Sequence, residues 1–219
     1  STIQAGINAA SDGDTVLVSA GTYVENIIWP ATDGIKLIGS GEEDCIIDGN
    51  QSDRVIYFNN STIDTNTLVT SFTIQNGTTP QSLWSGGGIY CEYSSSPSLE
   101  FLTIQNNWAS YGGGMACYQS NPRLLNVTIT NNSAQNGAGG IKCYQSSPIL
   151  TNVTITNNSG NTGGGISITS GSNPNLENVI ITNNSGSDGG GMFVQSSNPV
   201  FKDLIISNNS AGEGGGMYL

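Results

Sequence analysis

The chain has 219 residues and a net charge of -11, from 5 basic and 16 acidic side chains with no histidine. So few Lys and Arg argue against a nucleic-acid partner and disfavour anionic membranes, and no apolar run approaches the length of a membrane span, so no membrane insertion is expected. The acidity reads as a solubility feature, with cation binding as the other reading.

Residues 2–11 carry Ile3, Ile7 and Ala10 at helical spacing, and Asp12-Gly13-Asp14 ends that segment. This predicts a short α-helix covering the open end of a sheet stack. Ser1 opens directly into structured-looking sequence, which predicts a piece of a longer chain. From 15 to 85 the pattern is irregular. Thr15–Val18, Ile35–Ile38, Cys45–Ile47, Val55–Phe58 and Phe72–Ile74 are the expected strands, and 61–66 reads as an inserted loop. Nine of the 16 acidic residues lie in the first 53 positions. Asp44, Asp48 and Asp53 form the best acidic group. They are candidate calcium ligands, weighed against Asp residues that cap turn backbone.

From 86 onward the chain repeats. Pro97, Pro122, Pro148, Pro174 and Pro199 recur at steps of 25, 26, 26 and 25 residues. The pairs ending in Asn107, Asn132, Asn158, Asn184 and Asn209 recur at the same steps. A repeat of this length built from period-two apolar runs is a β-solenoid, one elongated domain in which each coil touches only its neighbours. Stacking places Leu102, Val127, Val153, Val179 and Leu204 in one interior row, and Ile104, Ile129, Ile155, Ile181 and Ile206 in another. Cys91, Cys117 and Cys143 share a third row with Ile168, Val194 and Leu219, so these cysteines act as small buried hydrophobes held as free thiols. The Asn set should form a column of coil-to-coil amide bonds. The glycine triplets supply positive φ and close approach at a corner, and no phosphate-loop lysine follows them.

These motifs resemble a known family. The opening 1–27 is similar to the start of many right-handed parallel β-helix proteins of the pectin-lyase-like superfamily. The coils from 86 are similar to repeats of bacterial surface proteins and polymorphic outer membrane proteins. The second of their motifs stands here with Ile for Phe, as in Ile104…Asn107 and Ile155…Asn158. The resemblance implies an all-β, right-handed parallel β-helix of about eight coils with a short N-terminal capping α-helix. The expected division is 1–14 cap helix and turn, 15–85 irregular coils and 86–219 regular coils.

Enzymes of that superfamily set a basic residue near carboxylates. The five basic residues here, Lys36, Arg54, Arg123, Lys142 and Lys202, read as scattered, so no catalytic residue, resident metal or cofactor is assigned. Lys202 aligns with Glu177 as a surface ion pair. Trp84, Trp108, Tyr111, Tyr118 and Tyr144 are the candidate glycan contacts; the alternative is that they shield turns or pack on the glycine shelf. Thr128, Thr130, Thr154 and Thr156 raise ice binding, but two coils of Thr-x-Thr make no flat array. The expectation is an extracellular or cell-surface structural or adhesion module with weak binding of a polysaccharide or cell-surface glycan. End-to-end self-association is a second expected contact. The alternative is a polysaccharide lyase or glycoside hydrolase.

Overall fold

The computed structural model describes residues 2–79 and 85–219. Among the described residues a single helix, Ile3–Ala9, is followed only by strands. Thr2 caps it, accepting from the Ala5 amide at 3.1 Å. The carboxylate of Glu25 also accepts from the Ile3 and Gln4 amides, at 2.7 and 2.9 Å. Ile3 and Ile7 are buried against the first coil, so the helix closes one end of the stack.

All strand pairings are parallel among the described residues. One face is a sheet of long strands. In the regular coils these are Ser98–Gln105, Arg123–Thr130, Ile149–Thr156, Asn175–Thr182 and Val200–Ser207. A second face carries eight short strands, from Ile27–Ile28 to Met217–Tyr218, giving seven turns between them. A narrow third side holds two-residue strands such as Trp108–Ala109, and the serine-led strands Ser185–Asp188 and Ser210–Glu213.

Each long strand bends once. Phe101, Asn126, Asn152, Asn178 and Asp203 all have φ near +50°, and they are skipped in the pairing register. Asn and Asp tolerate this conformation best among residues with a Cβ. The corner explains why Leu150 and Val153 both point inward although three positions apart. In the first coils the corner is an open loop. Lys36–Ile38 and Cys45–Asp48 pair with the two halves of Leu68–Gln75, and 39–44 bulges between them.

The interior rows form as registered pairs. Leu102, Val127 and Val153 are buried, as are Ile104, Ile129 and Ile155. Cys91, Cys117 and Cys143 are adjacent partners, buried and free. Burial pushes the Cys91 thiol up, and the Cys117 thiol is raised by its contact with Cys143 and by burial. Leu219 departs from its expected row: it lies beyond the last strand and is exposed. Helix and strand limits are also shorter or longer than expected by a few residues, and Gly21–Val24 is a strand that sequence spacing did not indicate.

Two polar columns run inside the turns. Asn132, through both its amide N–H and Nδ2, donates to Asn158 Oδ1 at 3.0 Å, and its Nδ2 also donates to the Ile104 carbonyl at 2.9 Å. The same bonds link Asn107 to Asn132, Asn158 to Asn184 and Asn184 to Asn209. The second column is serine. The amide of Ser120 donates to Ser146 Oγ, Ser146 to Ser172 and Ser172 to Ser197. Each of these serines stands two residues before a coil proline. The glycine triplets act mainly through close approach. A Cβ on Gly113 would sit 2.4 Å from the Ser133 carbonyl oxygen, and only the first glycine of the last three triplets has positive φ.

Candidate functional site

On a short strand, alternate side chains face outward. The outward row of the short-strand sheet reads Ile28, Tyr57, Tyr90, Ala116, Lys142, Ser167, Phe193 and Tyr218. Beside it Tyr118 and Tyr144 are register partners, followed by Thr169 and Gln195. Three stacked aromatic pairs therefore share this face. Ring centroids are 5.5 Å apart for Tyr57 and Tyr90, 5.2 Å for Tyr118 and Tyr144, and 5.3 Å for Phe193 and Tyr218.

The densest chemistry sits at the N-terminal end of the face. Arg54 precedes the strand Ile56–Phe58, and its guanidinium carbon lies 4.5 Å from the Tyr57 ring centre and 5.1 Å from that of Tyr90. Glu92 follows the strand Ile89–Cys91 and bridges the two phenols. Tyr57 donates to its Oε1 and Tyr90 to its Oε2, the latter at 2.8 Å. Burial raises the Glu92 carboxyl above its ordinary value, and the Arg54 charge opposes that rise. Burial also raises the Tyr90 phenol. Arg54 Nε is shielded from solvent, and no hydrogen bond reaches it among the described residues. Asp53 Oδ1 stands 3.4 Å away, near enough for an ion pair but outside hydrogen-bond geometry. Asn26, Ile27, Ile28, Asp53, Arg54 and Tyr57 line an adjoining pocket of about 300 Å³.

This cluster was not apparent in the sequence. The repeat step there is 33 residues, Tyr57 to Tyr90, rather than 26, so the partners do not align by eye. A stacking register carried back from Cys91 to Phe58 would have exposed it. Basic residues that read as scattered are partly gathered: Arg54 and Lys142 belong to the same face. Arg123 begins a long strand and lies elsewhere, and Lys202 pairs with Glu177 on the exposed long-strand sheet.

The expected aromatic edge divides. Tyr118 and Tyr144 lie on the short-strand face, whereas half-buried Trp108 lies on the narrow third side, paired with Thr78 and Ser133. Tyr111 follows it in the turn, with Gly137 packed on its backbone. Trp84 lies outside the described residues. The Asp44, Asp48 and Asp53 group does not converge. Asp48 accepts from Gln75, Asn76 and the Asn50 amide, and these bonds hold its carboxyl low against the opposing effect of burial. Asp53 belongs with Arg54. Among the described residues no group of three His, Cys, Asp or Glu could hold a metal ion. A further concavity of about 710 Å³ is an open groove on the long-strand sheet. There the 39–44 loop lays Glu42 and Glu43 over Thr73, Thr103 and Gln105.

No curated protein matches the sequence. The family model for the right-handed β-helix region matches residues 5–161 and again 125–219, overlapping segments that together span nearly all of the chain. With its parallel stack of repeating coils, the chain belongs to the right-handed β-helix family, as a pectin-lyase-like solenoid.

Proposed function

We propose that this β-helix is a glycan-binding module displayed outside the cell, with the outer face of the short-strand sheet as its contact surface. The observation that supports it is the cluster of Arg54, Tyr57, Tyr90 and Glu92 beside a pocket of about 300 Å³. Saccharide sites combine aromatic or apolar surface with a few fixed donors and acceptors. Arg54 offers donors, Glu92 and Asp53 offer acceptors, and Ile28 supplies exposed apolar surface. The stacked rings cover one another's inner faces, so Tyr118 and Tyr144 present ring edges and the track would follow the coil axis. The test is retention on a glycan array. Arg54→Ala should weaken a retained glycan by about tenfold, as expected for a lost charged hydrogen bond, while Tyr118→Ala should weaken it less. Unchanged retention in both variants sinks the assignment to this face.

A second reading, a polysaccharide lyase or glycoside hydrolase, draws on the same cluster. A carboxyl raised by burial, two phenols and a guanidinium are groups that acid–base chemistry can use. Release of unsaturated products or new reducing ends from a polysaccharide, lost in Glu92→Gln, would place this reading first.

A further inference from the structure

Lys142 interrupts the aromatic row of the short-strand face. Its register neighbours are Ala116 and Ser167, both small and both buried, so between Tyr90 and Phe193 the row holds no other long side chain. The residue is only 7% exposed. Its Nζ stands 3.0 Å from Ser167 Oγ and 2.9 Å from Thr169 Oγ1. The Thr169 hydroxyl donates onward to the Cys143 carbonyl at 3.3 Å, so toward Lys142 it can only accept. Among the described residues no carboxylate stands within ion-pair distance of this amine. The nearby titratable groups are the phenols of Tyr118 and Tyr144 on the adjacent outward row and the inward thiol of Cys143.

Two hydroxyl oxygens match the two N–H bonds of a neutral amine. An ammonium would bring a third N–H and an uncompensated buried charge. Burial accordingly lowers the Lys142 pKa to about 8. A desolvated, neutral amine is the form in which lysine acts as a nucleophile toward carbonyl carbon.

We propose that Lys142 is a covalent capture site for small aldehydes, forming a reversible imine. The lone pair attacks the carbonyl carbon, and the C–O π pair moves to oxygen. One N–H proton passes to that oxygen, giving a carbinolamine. Loss of water then forms the C=N bond. Nothing is oxidised or reduced, and hydrolysis returns amine and aldehyde. Burial of the amine restricts the site to small carbonyl compounds.

The chain offers a clean competition, because Lys36, Lys142 and Lys202 are its only lysines. The native protein is treated at about pH 8 with trace formaldehyde and cyanoborohydride, which reduces each imine as it forms. Labelling is then read at each lysine by peptide mass mapping. Lys142 should label roughly tenfold faster than Lys36 and Lys202; at Lys202 the hydrogen bond and charge of Glu177 hold the proton on the amine. The lead of Lys142 should shrink as the pH rises toward 10.5. Lys142→Met should remove the fast label and leave the other two sites unchanged. Labelling of Lys142 at or below the rate of Lys36 overturns the proposal, and that readout needs no variant to fold.

Discussion

The coils before residue 80 and those after 85 use one cross-section in different ways. In the regular coils each long-strand corner is a single residue at positive φ, and successive coils superimpose residue on residue. In the early coils the same corner is a loop, such as 39–44, and the step between Tyr57 and Tyr90 stretches to 33 residues. Concavities lined by Glu42 and Glu43, by Asn26 and Arg54, and by Val16 and Tyr23 all involve the early coils. Regularity supplies stability through identical neighbours, and departures from it create the hollows where dissimilar side chains converge. The Arg54 cluster lies among the departures; the Asn and Ser columns mostly lie among the repeats.

The sharpest way to break this contrast is to cut a column. Asn158→Leu leaves the Asn132 amide and the Ile129 carbonyl without their buried partners. At about 1–3 kcal/mol for each unsatisfied group, the loss should be about 2–6 kcal/mol, read from the urea midpoint. A loss below 1 kcal/mol would mean that the column follows the stack rather than holding it.

Lys142→Met should have a smaller effect that depends on pH. The folded-state pKa is depressed, from 10.5 to about 8. Stability from the neutral amine is thus fully present above 10.5 and is lost as the pH falls through about 8. The variant has no such dependence. It should therefore gain on the wild type by about 3 kcal/mol between those limits, as measured by denaturant unfolding at several pH values. A difference that stays flat with pH would mean that Lys142 keeps its proton in the fold as it does in solution.

The smallest effect is expected in the early coils. Glu42→Ala removes one acceptor of the Thr103 hydroxyl from an open groove. It should cost at most about 1 kcal/mol, because the loop lies outside the stacked rows. A large cooperative loss there would erase the distinction between framework and insert.

Much of the framework was legible because a solenoid repeats its own evidence. Ile104, Ile129 and Ile155 announce a row by recurring, and so do Asn107, Asn132 and Asn158. The corner at Asn126 and Asn152 was less legible, since its positive φ looks in sequence like a slip in period. The serine column was not read in the sequence, although Ser120, Ser146, Ser172 and Ser197 each recur two residues before a proline. The candidate site was not legible. Arg54, Tyr57, Tyr90 and Glu92 occur once each, in coils whose length varies, and only the parallel register of Phe58 with Cys91 brings them together.

Both polar columns point the same way. In every link the amide of one coil donates to a side chain of the coil that follows: Asn132 to Asn158, Asn158 to Asn184, Ser120 to Ser146 and Ser146 to Ser172. Each coil thus offers the same socket to its successor and the same plug to its predecessor. A tandem duplication of one whole unit, with its serine, proline and asparagine intact, recreates both junctions without inventing a new one. An insertion out of phase breaks both at once. Length in such a gene can therefore drift by whole units under recombination, while the N-terminal coils, which lack matching plugs, stay singular.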